Sequence, residues 1–240
     1  MTVRIDNCFE TLKLTNKKAL ITFLTAGDPN YDLSLELIKS LPEAGADIIE
    51  IGMPFSDPMA DGPSIQASSL RAINSGHKME KTFEMIESFR KDNSRTPIIL
   101  MGYFNPIYNY GVDSFIEKII DIEVDGVIVV DLPPEEDNEL CNALESADLS
   151  FIRLVTPTTN ADRLNKILQK TSGFLYYVSI AGITGSKRPE INEVETAVQE
   201  IKTKTNIPIG VGFGIRTKED IERVGGFADG VIVGSVLVDI

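Results

Sequence analysis

The chain has 240 residues, 42% hydrophobic and 25% charged, a balance typical of globular proteins rather than disordered or fibrous ones. With 36 acidic and 23 basic side chains, its formal net charge is -13, which argues against nucleic acid as a partner. No apolar run approaches the roughly 18 residues of a membrane span, and the start, MTVRIDNCFETLKL, lacks a signal-peptide core, so a cytoplasmic protein is expected.

In chain order, Met1 to Leu14 reads as a short amphipathic helix with Ile5, Phe9 and Leu12 on one face. Ala19 to Leu24 is a first buried strand, ended by Gly27-Asp28-Pro29, and Leu33, Leu37, Ile38 and Leu41 follow at helical spacing. A second strand runs through Ile48, Ile49 and Ile51 and stops at Gly52. Helical segments follow on either side of Gly76, whose neighbour His77, the single histidine, is read as a surface turn residue. Pro97 to Met101 is the third strand, leading into Gly102-Tyr103-Phe104-Asn105-Pro106, read as a loop. Phe115, Ile116, Ile119 and Ile120 mark the next helix.

Gly126 to Val130 is the fourth strand, and Pro134 followed by Glu135, Glu136 and Asp137 reads as a helix start. Phe151 to Val155 is the fifth strand, followed by a capped helix after Asn160. Phe174 to Ser179, Ile207 to Val211 and Val231 to Val233 complete the set, with helical segments between them. Eight strands alternating with helices predict an α/β fold, a closed (β/α)8 barrel forming one domain over residues 1–240, with a doubly wound open sheet as the alternative. DGVIVVD (Asp125 to Asp131) and DGVIVGS (Asp229 to Ser235) echo one another at the fourth and eighth strands.

Chemistry concentrates in Ala46 to Ser64. Glu50 interrupts an apolar strand, where a carboxylate is costly unless paired, solvated or used. It either caps a loop, pairs with a buried arginine, or faces a site at the strand's C-terminal end, where barrels bind ligands. The following loop carries Asp57 and Asp61 among Pro54, Pro58 and Pro63. Asp28, Asp57 and Asp131 read as caps or turn formers, and no metal-ligand cluster stands out. Cys8 and Cys141 are expected to be reduced structural thiols. With His77 placed on the surface, catalysis falls to carboxylates, tyrosine, backbone dipoles or a cofactor, and Tyr176 points from its strand toward the barrel mouth. Gly212-Phe213-Gly214 and Gly234-Ser235, joined by Gly182 and Gly185, follow the last three strands, where barrels commonly hold phosphate on backbone N–H groups.

IGMPFSDPMADGPSIQ resembles the signature of the tryptophan synthase alpha chain family, and FLTAGDP, MGYFNPI, DGVIVVDLP, YYVSIAGITG, VGFGI and VIVGS extend the resemblance in the right order along the chain. Ile180 departs from it, standing where some relatives carry a basic residue. The resemblance implies a lyase that cleaves indole-3-glycerol phosphate to indole and glyceraldehyde 3-phosphate, working with a pyridoxal-phosphate-dependent beta subunit in an αββα complex. The cofactor would belong to the partner, so none is expected on this chain. Glu50 would be the acid–base residue and Asp61 the partner of the indole N–H, with Tyr176 supporting Glu50. Phe23, Met101, Ile128 and Phe213 would line the substrate pocket, Gly185, Gly214, Gly234 and Ser235 would hold the phosphate, and Thr184 would close the site through Asp61. The segments Pro54 to Met59, Gly102 to Tyr108 and Pro133-Pro134 would meet the beta subunit. The rival readings are another phosphate-binding barrel enzyme of histidine or tryptophan biosynthesis, and a non-catalytic subunit that only activates its partner.

The sequence runs only a few residues past Gly234-Ser235, so a final barrel helix is expected to be missing. The outer faces of the first and last strands, near Leu20, Val231 and Val233, are then expected to be partly bare, and the chain marginally stable without association.

Overall fold

The computed structural model describes residues 3–179, 190–212 and 214–239. Helix α1 (Val3–Leu14) precedes β1 (Ala19–Thr25), α2 (Tyr31–Ser40) and β2 (Ile48–Gly52). Helices α3 (Pro63–Asn74) and α4 (Met79–Asp92) lead to β3 (Ile98–Gly102), then α5 (Phe104–Tyr110), α6 (Val112–Asp121) and β4 (Gly126–Val129). The second half holds α7 (Asn138–Ser146), β5 (Ser150–Phe151), β6 (Arg153–Val155), α8 (Ala161–Gln169), β7 (Leu175–Val178), α9 (Ile191–Lys202), β8 (Ile209–Gly212), α10 (Lys218–Gly225), β9 (Gly230–Val233) and the single-turn α11 (Ser235–Val238).

All strand pairs are parallel, in the order β5-β4-β3-β2-β1-β9-β8-β7-β6. The short β5 and β6 are the fifth predicted strand interrupted at Ile152, whose N–H still reaches the Val127 carbonyl at 3.0 Å. The ring therefore closes through one residue, and the architecture is the (β/α)8 barrel rather than an open sheet. Ile21, Ile48, Ile99, Ile128, Ile152, Phe174 and Ile232 fill its centre, while Ile5 and Phe9 of α1 close the bottom, with the Phe9 and Phe174 rings 5.8 Å apart. Burying each such side chain stabilises the fold by roughly 1.5–3 kcal/mol.

The DGVIV echo has a physical basis. Asp125 Oδ2 accepts the N–H of Ile98 at 2.8 Å, and Asp229 Oδ2 accepts that of Ile209 at 3.0 Å. Asp47, just before β2, does the same for Leu20 at 2.8 Å. Each carboxylate ties the start of one strand to its neighbour, and Arg90 at 2.6 Å and Lys202 at 2.9 Å neutralise Asp125 and Asp229. A charged acceptor of this kind contributes about 1.5–3 kcal/mol.

Four expectations are corrected. His77 is buried, its Nε2 lies 2.8 Å from Thr82 Oγ1, and its ring occupies the space a side chain at Gly27 would need. Burial lowers its pKa to about 4, so it is a neutral packing residue. The aromatic segment after β3 is helical from Phe104, because Asp131 Oδ1 accepts the Phe104 N–H at 2.8 Å and Pro106 falls in the first turn, where no N–H is required. Conversely, Pro133 to Glu136 form a turn and α7 starts only at Asn138, since the preceding Asp137 is drawn inward to Arg153 and Lys170. Finally, Val231 and Val233 are buried in one cluster with Val224, against which Val236 and Leu237 of α11 pack. What remains open outside β1 and β9 is a groove of about 340 Å³ among Lys18, Leu20, Ile221, Glu222 and Val231, remote from the strand ends that carry the acids.

Candidate active site

Side chains alternate along a strand, so Glu50 shares the inward face with Ile48, one layer nearer the mouth. It is 0% exposed, and neither carboxyl oxygen has a hydrogen-bond partner among the described residues. Among the described residues, therefore, Glu50 neither caps a loop nor pairs with an arginine. Burial pushes its pKa up to about 8, leaving a carboxyl that holds its proton at neutral pH.

Asp61 is placed by its loop. The Met59 N–H bonds the Asp57 carbonyl at 2.8 Å and the Asp61 N–H bonds the Pro58 carbonyl at 3.0 Å, while Pro63 begins α3. Gln66 Nε2 donates to the Asp61 carbonyl at 2.9 Å. The Asp61 carboxylate accepts a hydrogen bond from the Tyr103 hydroxyl at 3.1 Å. Burial pushes its pKa up to about 6, against the opposing pull of that bond. At neutral pH one mouth carboxyl is thus protonated and the other mainly ionised, the separation that lets two acids take different roles.

Tyr176 on β7 lies within the field of both: burial first, then the charges of Glu50 and Asp61, hold its phenol well above its usual pKa. It fits because Gly212 on the neighbouring β8, one inward position beyond its register partner Gly210, has no side chain: a Cβ there would stand 2.9 Å from the tyrosine oxygen. Phe23 pairs in register with Glu50, and its ring lies where a side chain on Gly52 would clash at 2.5 Å. Phe23 and Met101 line a narrow cavity together with Asp61, Ile65, Tyr103 and Val130. Ile128 lies in the packed layer below, and Val130, two residues nearer the mouth, takes the wall position expected of it.

Gly234 packs beside Phe23 at this same mouth and caps α11, which starts at Ser235; Gly214 has a left-handed backbone, φ 59°. Thr184, Gly185 and Phe213 lie outside the described residues, as do Gly182 and Ile180. Asp28 pairs with Arg71 through two bonds of 2.7 Å, Asp57 accepts from the Ser56 hydroxyl, and Asp131 caps α5. Among the described residues, no group of three or more His, Cys, Asp or Glu could hold a metal ion. Cys8 and Cys141 are free thiols, and burial pushes that of Cys8 up to about 12. Tyr103 and Val130 were not singled out from sequence. Their position just past strand ends was the available signal, but an aromatic there is usually packing.

The family model for the tryptophan synthase alpha chain matches residues 9–240. The tryptophan synthase subunit alpha of Legionella pneumophila str. Paris is 43% identical, over 98% of this chain and 87% of that one, with a TM-score of 0.92. A structure from Aquifex aeolicus VF5 is 39% identical over 98% and 90%, with a TM-score of 0.92. A tryptophan synthase structure from Mycobacterium tuberculosis is 34% identical over 100% and 91%, with a TM-score of 0.91. With residues 9–240 of its 240 matched by the family's model, this chain belongs to the tryptophan synthase alpha chain family.

Proposed function

We propose that Glu50 and Asp61 together run the family's reaction in this chain, the retro-aldol cleavage of indole-3-glycerol phosphate to indole and glyceraldehyde 3-phosphate in tryptophan biosynthesis. The observation that carries this reading is the Glu50 carboxyl itself, fully buried in the barrel interior with no hydrogen-bond partner for either oxygen among the described residues. It delivers its proton to the indole carbon bearing the glycerol chain. The ring becomes cationic at nitrogen, and the ionised Asp61 accepts the N–H hydrogen bond and stabilises that charge. Glu50, now a carboxylate, takes the proton of the hydroxyl next to the ring. The carbon–carbon bond breaks, its electron pair neutralises the ring, and the hydroxyl carbon becomes the aldehyde. One proton given and one taken leave the protein unchanged.

Phe23, Met101 and Val130 hold the indole with Phe213, Tyr176 supports Glu50, and Gly214, Gly234 and Ser235 hold the phosphate together with Gly185. Indole passes to a pyridoxal-phosphate-dependent beta subunit in an αββα complex. Met59, 64% exposed, and Tyr108, 63% exposed, provide apolar surface on two of the segments assigned to that interface. The location is cytoplasmic; among the described residues no helix is long and apolar enough to cross a membrane. Release of indole from indole-3-glycerol phosphate, measured for the chain alone and with a beta subunit, tests the reading. Turnover that rises on adding the partner is expected. No cleavage in either case, with beta activity still enhanced, identifies a docking subunit without chemistry.

A further inference from the structure

We infer that Tyr103 is a positioning residue for this reaction: one hydroxyl group holds both the main chain and the side chain of the Ala60–Asp61 segment, orienting the Asp61 carboxylate toward the indole nitrogen. The inference rests on the role proposed for Asp61. Tyr103 caps the start of α5 and is 3% exposed. Its ring packs on Phe55 with centroids 5.3 Å apart. Asp131 fixes the adjoining Phe104 N–H from the end of β4. The hydroxyl accepts the Ala60 N–H at 3.0 Å and donates to Asp61 Oδ2 at 3.1 Å. A phenol has a single proton, so with the acceptor side occupied by Ala60 the proton goes to the carboxylate. Oδ2 is thereby engaged, and Oδ1, which makes no hydrogen bond among the described residues, is left for the substrate N–H.

Among the described residues, the titratable groups in the field of this pair are acidic or neutral. Tyr176 on β7 and Glu50 on β2 share the mouth, and Asp131 lies behind Tyr103. Burial, followed by the charge of Asp61, keeps the Tyr103 phenol above its usual pKa, so it remains a donor throughout the working range. Among the described residues, its hydroxyl is the one group that favours the ionised form of Asp61. Deleting it leaves burial unopposed.

Tyr103→Phe keeps the ring against Phe55 and removes only the hydroxyl. Three measurements on the full chain test the inference: kcat and KM for indole-3-glycerol phosphate from pH 5 to 9, the carbon-13 titration of the Asp61 carboxyl without substrate, and the urea midpoint. The acid limb of kcat/KM is expected to move up by roughly one pH unit, with the loss about tenfold larger near pH 5.5 than near pH 8. The Asp61 titration moves the same way. Replacing Tyr103 with 3-fluorotyrosine, a stronger donor, moves it oppositely. In an Asp61→Asn background, Tyr103→Phe should add less than about a twofold loss. An unshifted titration and pH profile, or an equal loss at every pH that persists beside Asp61→Asn, reduces Tyr103 to packing and overturns the inference. Near-normal turnover by Asp61→Asn alone instead removes the role proposed for Asp61, so the two failures are told apart.

Discussion

Glu50 lies inside β2, with β1 and β3 hydrogen-bonded on either side, whereas Asp61 lies on the loop that follows, held by turns and one tyrosine hydroxyl. Both are carboxylates in an apolar setting, and burial raises both. Among the described residues Glu50 has no compensating partner, and burial pushes its pKa up to about 8; Asp61 has the Tyr103 hydroxyl and is pushed up only to about 6. The difference shows that a proton donor can be made by leaving a group unpartnered on a rigid strand. An electrostatic partner for the substrate needs at least one donor to keep it charged.

The largest expected effect breaks the strand side of this comparison. Glu50→Gln preserves shape and removes the proton, so indole release should fall by the roughly 10²–10⁴-fold associated with acid–base loss, or more, while substrate still binds. Steady-state turnover beside a binding titration checks this, and near-normal turnover would exclude Glu50 from the chemistry. Asp61→Asn should lose on the order of 10²-fold, because an amide cannot stabilise a ring cation as a carboxylate does. It is expected to lower kcat more than affinity.

The contrast can also be read through stability. The folded pKa of Glu50 lies above its ordinary value of 4.5, so between there and about 8 the folded state binds more protons than the unfolded one. Stability contributed by the protonated group is therefore full below that window and lost as pH rises through it. Glu50→Gln should cancel the loss, gaining ~4 kcal/mol at most over wild type at pH 8 relative to pH 5, by urea unfolding at both pH values. The Asp61→Asn gain should be smaller and finished by about pH 6. Equal pH dependence in all three proteins would mean that Glu50 is solvated in the folded chain.

The smallest effect sharpens the comparison from across the mouth. Gly234→Asp brings a side chain and a negative charge into the proposed phosphate cradle, beside Phe23. Glyceraldehyde 3-phosphate should bind roughly tenfold more weakly and indole almost unchanged. A parallel loss of both would place the effect in folding rather than in phosphate recognition.

Much of this is legible in the sequence. The alternation of apolar runs marks the strands and most of the helices, though neither α5 nor α11, because burial on both sheet faces demands such runs. Asn160 shows in the sequence as a cap, and the structure has its side chain accepting the Arg163 N–H at 2.9 Å. A carboxylate amid isoleucines marks Glu50 for the same reason, since an apolar strand tolerates it only with a purpose. Other features depended on what stands opposite. His77 follows a turn glycine and reads as exposed, yet Gly27 leaves a space that its ring fills. Ile128 and Val130 look alike in a run of valines and isoleucines, and only their layers in the barrel separate floor from wall.

By itself, then, the sequence determined the repeating strand–helix units, the presence of a carboxyl within the apolar run of β2 and the glycines beyond the last strands, all properties of local pattern. Tertiary structure alone decided that the ring closes through Ile152, that Asp125 and Asp229 tie neighbouring strands, and that Tyr103 reaches across 42 residues to Asp61. Periodicity records which face of an element avoids water, but a hydrogen bond depends on distance and direction between elements, and closure of the barrel sets both.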